Sequence, residues 1–238
     1  CWILGCCKEN WRLFSRHYLA HQTVDCDHGI ILDTVVTSGE VNDAVPYLKQ
    51  IEHIHREILP IQAATADSAY DLPLFHRVLK DHNIRFYVRP CSNSLKACGK
   101  GNPSSFVYDE ENDLYRCPQG KELELRNLTR LSGGLRWVYY SKKADCDICP
   151  VRTECIGKCR TKHIERNYFW KEIRADIDKL ETPLYQRALR KRQIWSEGTF
   201  AAQKWGNRLF RRGIEAAEDH CLLSATALNL KRMIRASF

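Results

Sequence analysis

The sequence predicts an α/β fold in which helices flank a mixed β-sheet. Two strand-like segments joined by a tight turn lie near the start, a strand–helix–strand unit follows at 61–88, and helical patterning covers the end of the chain. We expect residues 1–91 to form the first part of this fold and residues 166–238 to form a basic helical part. Residues 92–165 are predicted to be an insertion between them.

The first two strands are predicted to form a hairpin. Residues 16–25 and 29–37 are both rich in β-branched and apolar residues, and Cys26-Asp27-His28-Gly29 separates them. A short polar turn that contains glycine, placed between two such runs, indicates antiparallel pairing.

A helix is predicted to follow the hairpin. Asn42-Asp43 offers an N-cap, periodic apolar residues continue to about Arg56, and Pro60 closes the segment. The residues expected near its buried face are Val45, Leu48, Ile51 and His55.

The next segment has the order strand, helix, strand. Residues 61–66 and 84–88 are short apolar runs, and residues 71–82 have a helical apolar period. Because the connection is long enough to contain a helix, the two strands are expected to pair in parallel. The predicted buried residues of the helix are Leu72, Phe75, Val78 and Leu79.

The insertion differs in composition from the rest of the chain. Gly, Pro, Asn and Cys are frequent from about Ser92 to Glu165, and one antiparallel strand pair, 122–125 with 135–140, is predicted around Ser132-Gly133-Gly134. Helical patterning is expected to return at about Arg166 and to break at Pro183 and Gly213.

Four cysteines of the insertion have the spacing of metal ligands. A Cys-x-x-Cys pair is followed by one further thiol and preceded by another, and four thiolates suit a closed, structural Zn²⁺ site. The metal would hold together a region with few apolar residues. Cys159 or His163 could replace one ligand, and idle or redox-active thiols are the alternative interpretation. The four predicted ligands are Cys117, Cys146, Cys149 and Cys155.

The distribution of charge indicates a polyanionic partner. The chain has 238 residues and a net charge of +8, and residues 185–238 hold 11 basic and 4 acidic residues. Neutralisation of phosphates by such segments dominates affinity for nucleic acids, although a solvated helix face has the same composition. No apolar stretch is long enough to span a bilayer, and the start lacks a signal-peptide pattern. Grouped cysteines favour a reducing compartment, hence the cytoplasm.

Two remote carboxylates are the strongest candidates for chemistry. Asp67 directly follows a predicted strand, where α/β active sites form, and Glu197 lies far along the chain in a basic helical segment. Two such groups brought together by a fold commonly hold Mg²⁺. If the segment is one helix, Arg190 and Lys204 share a face with Glu197 and suit a phosphodiester backbone. A surface ladder of salt bridges is the alternative.

Several motifs, in order, resemble those of DDE-type insertion-sequence transposases of bacteria. The Glu197-to-Lys204 spacing resembles the end of their Tyr-Arg-Glu-Lys signature, and residues 65–70 look like the motif of their second aspartate. Cysteines like those of the insertion occur in one branch. The remaining similar segments are 21–43, before the second aspartate, and 212–232, at the carboxyl end.

The resemblance implies an RNase H-like fold in which two aspartates and one glutamate hold two Mg²⁺ ions for DNA cleavage and joining. Asp67 would be the second aspartate and Glu197 the glutamate. The insertion would be a small zinc-ribbon-like subdomain. The side chains expected to contact DNA are Arg190, Arg192, Lys204 and Arg211.

The first aspartate of such proteins has no counterpart here. It lies on the central first strand, upstream of the hairpin, and residues 1–10 contain no aspartate. We therefore expect an amino-terminally truncated chain that lacks this central strand and is inactive alone. Asp25 could be nominated instead, but its position resembles the family's second strand.

The resemblance also implies partners: transposon ends and target DNA, a second copy of the chain in a homodimer, and a location at the nucleoid. The main alternative is a degenerate remnant that only binds DNA through its zinc-bearing insertion and basic helices. A zinc-ribbon protein associated with RNA, and a globular protein with structural zinc and no nucleic-acid role, are weaker alternatives.

Overall fold

The computed structural model describes residues 2–4, 8–13, 16–42, 44–90, 95–131, 134–204 and 213–236, with the backbone alone at 2–17, 131 and 204. The chain divides into two compact units. The first unit contains residues 1–91 and 174–238, and the second contains residues 92–173.

Twelve strands and eight α-helices are present in the described residues. The strands are β1 Trp2–Leu4, β2 Lys8–Leu13, β3 Arg16–Asp25, β4 Ile31–Ser38, β5 Ala63–Ala66, β6 Arg85–Val88, β7 Leu95–Ala97, β8 Val107–Asp109, β9 Leu114–Arg116, β10 Glu122–Leu131, β11 Gly134–Ser141 and β12 His163–Asn167. The helices are α1 Ala44–His53, α2 Pro73–Asp81, α3 Lys143–Asp147, α4 Arg152–Cys155, α5 Trp170–Ile177, α6 Pro183–Arg192, α7 Gly198–Lys204 and α8 Ile214–Ala236.

The first unit contains a mixed sheet. β4 pairs with β3, β3 pairs with both β1 and β2, and β1 continues the sheet to β5 and β6. β3 is antiparallel to its neighbours, whereas β1, β5 and β6 are parallel. Both the hairpin and the parallel strand–helix–strand unit are confirmed.

The prediction that the central first strand is missing is wrong. Trp2–Leu4 forms β1, which lies between β3 and β5 and pairs with both. Three residues are too few to show an alternating pattern, and the flanking glycine and cysteines hide the segment further. Its identity as a strand comes from hydrogen bonding on both sides, which is a tertiary property.

Helices cover both faces of the β5–β6 pair. Ala64 and Phe86 face a core with α1 and α2, whereas Ala63 and Tyr87 pack against Tyr185 and Ala188 of α6. On the β3–β4 side, α8 contributes Ala217 and Cys221 to a cluster with Ala20 and Val36. The alternation along β5 and β6 follows from the two-residue period of a strand.

The first helix begins as predicted, and of its expected buried residues Ile51 is buried and Leu48 packs against the core. Asn42 caps it, because the backbone N–H of Ala44 donates to Asn42 Oδ1 at 2.9 Å. Val45 is 60% exposed, however, and the buried residues are Pro46, Tyr47, Gln50 and Ile51, followed by Ile54. The ring of Tyr47 packs in the core against Phe75 of α2, and its burial sets which side of α1 points inward. In α2, the buried residues are Phe75, His76 and Leu79, whereas Leu72 is 39% exposed.

The second unit is built on one antiparallel sheet with the order β7-β12-β11-β10-β9-β8. The predicted strand pair is confirmed and is longer than expected, as β10 and β11 pair from Leu123 with Ser141 to Leu131 with Gly134. The expected return of helix at Arg166 is wrong. Residues 163–167 form β12, which pairs with β11 and β7, and helix begins only at Trp170.

Within the described ranges, no helix combines the length and the apolar character needed to cross a bilayer.

Candidate functional site

Asp67 and Glu197 line the same cavity of the first unit. The cavity has a volume of about 460 Å³ and lies at the carboxyl end of β5, beside α6 and the start of α7. Arginine side chains supply its basic part. Its lining residues are Ala66, Asp67, Ser68, Arg89, Gln186, Leu189, Arg190, Arg192, Gln193 and Glu197.

Asp67 is held by the turn that follows β5. Its Oδ1 accepts a hydrogen bond from the backbone N–H of Ala69 at 2.8 Å, and its carbonyl accepts from Tyr70 N at 3.1 Å. The carboxylate therefore caps the short 3₁₀ turn Ser68–Tyr70. Tyr70 is buried in the core, which fixes the turn and with it the position of the half-buried Asp67.

A buried histidine supports the chain just beyond this turn. His76 of α2 is 2% exposed and hydrogen bonds with Asp71 through Nε2 and with Asp176 of α5 through Nδ1, both at 2.8 Å. Burial disfavours the imidazolium, but the two carboxylates outweigh burial, and the pKa of His76 is raised. No sequence pattern pointed to this contact, since a histidine on an apolar helix face has no period of its own.

Glu197 ends a π-helical turn, Gln193–Glu197, that joins α6 to α7. Its Oε1 lies 3.5 Å from a guanidinium nitrogen of Arg192, and its side chain is 54% exposed. The buried neighbours Ser196, Thr199 and Phe200 hold the opposite face of the segment. Turns of π-helix occur often at functional sites, and here the turn shifts the helical register just before Glu197.

Two hydrogen bonds fix the position of the first turn of α6. Thr182 caps it by accepting a hydrogen bond from Tyr185 N at 3.3 Å. The buried Tyr185 hydroxyl donates to the carbonyl of Val88, the last residue of β6, at 3.4 Å. The helix that carries Arg190 and leads to Glu197 is therefore attached to the sheet edge where Asp67 lies.

Three arginines line the cavity, and one of them was missed by sequence reasoning. Arg190 and Arg192 were predicted, whereas Arg89 was not. Arg89 follows β6 directly, as Asp67 follows β5, and the strands pair in parallel with Ala66 opposite Val88. This register would have been a usable signal, because carboxyl ends of neighbouring parallel strands share one edge. The side chain of Lys204 and the whole of Arg211 lie outside the described residues.

The described lining of the cavity contains two carboxylates and not three. β1 runs parallel to β5, and its last residue, Leu4, lies opposite Thr65. The next residues in the sequence, Gly5, Cys6 and Cys7, are not acidic and lie outside the described ranges.

Asp25 serves the hairpin turn and does not line this cavity. Its Oδ2 accepts backbone hydrogen bonds from Asp27 at 3.2 Å and His28 at 2.7 Å. Asp25, Cys26 and Asp27 form the one group in the described residues whose potential metal-ligand atoms lie within 4.8 Å of one another. The Lys191 ammonium donates a hydrogen bond to Asp27 Oδ1 at 2.5 Å and lowers the pKa of that carboxyl. Burial, aided by Asp27, raises the pKa of Cys26 to about 12, which keeps the thiol protonated.

The four predicted zinc ligands line one cavity of the second unit. The cavity has a volume of about 230 Å³, and Cys117, Cys146, Cys149 and Cys155 all border it. Burial raises the pKa of the Cys155 thiol, Lys162 opposes this shift, and the other three thiols add to it. Among the described residues, no three of these thiols have sulfur atoms that all lie within 4.8 Å of one another.

Hydrogen bonds to sulfur mark two of these thiols. The backbone N–H of Lys121 lies 3.3 Å from Cys117 Sγ, and the Ser141 hydroxyl lies 3.0 Å from Cys146 Sγ. In the second pair either atom can be the donor, since the Ser141 hydroxyl also donates to the carbonyl of Lys162 at 3.1 Å. The four thiols fit Zn²⁺ chemically, because thiolates are common ligands of this metal.

Cys159 and His163, the alternative ligands, do not border the thiol cavity. Cys159 is close enough to Cys98 to contribute to the raised pKa of the Cys98 thiol, after the larger effect of burial. His163 places its backbone N–H 3.3 Å from Cys98 Sγ and its ring 3.6 Å from Glu165.

Two carboxylates and three arginines thus line one cavity of the first unit. The family model described as "Transposase DDE domain" matches residues 116–234 of the chain. The chain belongs to this family of DDE transposases, which confirms the resemblance at that level. The match includes Glu197 and the four thiols, whereas Asp67 lies before it. A search of curated proteins found no match.

Proposed function

We propose that the chain has the RNase H-like fold of a DNA transposase and that Asp67 and Glu197 are ligands of catalytic Mg²⁺. The observation that carries the proposal is their presence in one cavity with three arginines, although they lie far apart in sequence. The strand order supports the fold, since β4, β3 and β1 are antiparallel and β5 and β6 extend the sheet in parallel.

The residues of the cavity have separable roles. Bound Mg²⁺ would activate a water or a DNA 3′-hydroxyl and would stabilise the leaving oxygen of the cleaved strand. The two carboxylates would hold the metal through oxygen atoms, which Mg²⁺ prefers. Arg89, Arg190 and Arg192 would hold the phosphodiester, for which the planar guanidinium is well suited.

The set of carboxylates limits the expected activity. Asp67 and Glu197 are the acidic side chains among the described lining residues, and residues 1–10 contain no aspartate. A clamp for two Mg²⁺ ions needs carboxylates that bridge or flank both ions. We therefore propose that this polypeptide by itself binds Mg²⁺ weakly and is poorly active.

Metal titration and DNA joining test these roles separately. We expect Asp67→Asn and Glu197→Gln each to weaken Mg²⁺ binding, measured by calorimetry, by about tenfold or more. Glu40→Gln, which removes an exposed carboxylate outside the cavity, is the control. Unchanged Mg²⁺ binding in both site variants would refute the assignment. Efficient strand transfer by residues 1–238 would refute the proposed inactivity. If Glu197→Gln abolished that activity, the result would still support the role of Glu197.

A second candidate function is DNA binding without catalysis. The cavity has more arginines than carboxylates, and this excess of positive charge favours binding of a DNA phosphate backbone even without metal. In that case Asp67→Asn and Glu197→Gln would leave DNA affinity unchanged or raise it. Substitution of Arg190 or Arg192 by alanine would lower affinity and flatten its dependence on salt.

The second unit is proposed to be a zinc-ribbon-like insertion that holds structural Zn²⁺. Cys117, Cys146, Cys149 and Cys155 would be the ligands, in keeping with the cavity that they border. Free thiols throughout the described residues accord with a reducing compartment, and we propose the cytoplasm, at the nucleoid, as the site of action.

The partner of α8 is proposed to be a second copy of the chain. Leu223, Leu230 and Ile234 recur at helical spacing and are 72%, 55% and 60% exposed. The helix begins with acidic residues and ends with Lys231, Arg232 and Arg235. Antiparallel pairing of two copies would bury the apolar stripe and place the acidic start of each helix beside the basic end of the other.

A further inference from the structure

Lys162 is the most deeply buried cation in the second unit. Its side chain is 2% exposed, and its ammonium donates to the backbone carbonyls of Cys98 at 2.8 Å, Gly101 at 3.2 Å and Cys155 at 3.4 Å. The ammonium also lies 5.2 Å from the centre of the Phe106 ring. All three of its hydrogens therefore have acceptors, yet every acceptor is neutral.

The charge itself has no carboxylate beside it. Among the described residues, Lys162 forms no ion pair, although it borders a cavity whose lining includes Asp145 and Glu154. Asp145 is instead 3.6 Å from the ammonium of Lys121. A buried ammonium without an anion is strongly unfavourable, because carbonyl groups replace only part of the solvation that water provides.

The thiol cluster is the anion that Lys162 can use. Lys162 Nζ and Cys155 Sγ both face Gly101, at 3.0 Å and 3.2 Å from the position that a Cβ would occupy there. Four cysteine thiolates around one Zn²⁺ carry two negative charges in excess of the metal. A single buried ammonium would offset half of that excess at close range, where the interior screens poorly.

The backbone of Lys162 is linked to a second thiol through Ser141. Its N–H donates to Ser141 Oγ at 3.1 Å, and the Ser141 hydroxyl lies 3.0 Å from Cys146 Sγ. One residue thus contacts the surroundings of Cys146 through its backbone and those of Cys155 through its side chain.

We propose that Lys162 is the buried counter-charge of a zinc tetrathiolate and a positioning residue for Cys155 and Cys146. The inference rests on the proposed zinc site. It also accounts for a buried lysine whose ammonium is hydrogen bonded to neutral carbonyls.

Zinc affinity and apo stability together distinguish a counter-charge from a simple anchor. We expect Lys162→Met to weaken zinc binding, measured by competition with a colorimetric chelator, by about tenfold or more, as loss of an outer-shell partner does. Lys162→Gln should behave like Lys162→Met, because it can donate hydrogen bonds but has no charge. Lys162→Arg should retain most of the affinity.

The metal-free protein should respond less strongly. Without zinc there is no metal-bound thiolate for Lys162 to offset, so Lys162→Met should lower the urea midpoint of the apo protein less than that of the zinc-bound protein. A residue that only ties the loops together would destabilise the apo and zinc-bound forms alike when it is replaced. Full zinc affinity in Lys162→Met, or in Lys162→Gln, would overturn the proposal.

Cys149→Ser separates failure of this inference from failure of the zinc site. One outcome is that the purified protein contains zinc, which Cys149→Ser loses, while Lys162→Met keeps full affinity for zinc. That result would support the zinc site and refute the role of Lys162 as its counter-charge. A wild-type protein that binds no zinc would refute both. Cobalt spectra of each variant show whether the remaining ligands are still four thiolates, even if a variant folds poorly without metal.

Discussion

Arg89 stands next to Asp67 at one edge of the sheet, because Ala66 and Val88, the residues before them, are paired in parallel strands. The cation and the proposed metal ligand are thus held by the same backbone register. A phosphate bound by Arg89 would lie in the same cavity as the proposed metal ligand Asp67.

Replacement of Arg89 by alanine should weaken DNA binding. We expect affinity to fall to a similar extent for different DNA sequences, and the slope of its salt dependence to decrease by about 1, as for a cation that contacts phosphate. Arg85→Ala is the matched control, since Arg85 is an exposed arginine at the other end of β6. Fluorescence anisotropy over a range of salt concentrations measures both effects. Equal losses in the two variants would argue that only total charge matters.

His76 should make stability depend on pH. Its pKa is raised in the folded protein, so its contribution is complete below the ordinary pKa of histidine and is lost as the pH rises through the raised value. The urea midpoint should therefore fall as the pH rises above the ordinary histidine pKa of about 6.5. At lower pH, His76→Gln should reduce stability by about 1–3 kcal/mol and flatten the profile. The exposed His53, changed to Gln, should leave the profile as it is.

Gly99 should not tolerate a side chain. It has φ +74°, and a Cβ there would lie 2.6 Å from the Cys155 carbonyl oxygen and 2.7 Å from Ile156 Cα. Gly120 has nearly the same φ, +75°, but open space around it. Gly120→Ala should cost about 1 kcal/mol for the backbone strain, and Gly99→Ala about 1–3 kcal/mol more for the clash. Chemical unfolding of the two variants compares them directly, and equal costs would show that the second unit can adjust around Gly99.

The apolar stripe of α8 should hold two copies of the chain together. We expect a dimer in sedimentation velocity at micromolar concentration, and Leu230→Glu should convert it to monomer with no loss of helix content. Leu74→Glu, on the exposed side of α2, is the control because Leu74 is 51% exposed, close to the 55% of Leu230. A monomeric wild-type protein would exclude this use of the stripe.

The amino-acid sequence determined the local elements and the chemistry of the side chains. Runs of β-branched residues with a polar turn between them predicted the hairpin. The change from strand to helical patterning predicted the parallel strand–helix–strand unit, and the position of Asp67 directly after a strand made it a candidate site residue. Cysteine spacing selected four thiols that do border one cavity. These signals succeed because each depends on neighbours within a few residues, or on a donor set with a recognisable spacing.

Only the tertiary structure decided how distant segments meet. It made a strand of Trp2–Leu4, chose the face of α1 through the ring of Tyr47, and placed Arg89 in the cavity. It also joined His76 to Asp176, and Lys162 to Cys155, across loops and helices. Such contacts depend on strand register and on packing between remote elements, which carry no local period, so these neighbours could not be named from the sequence.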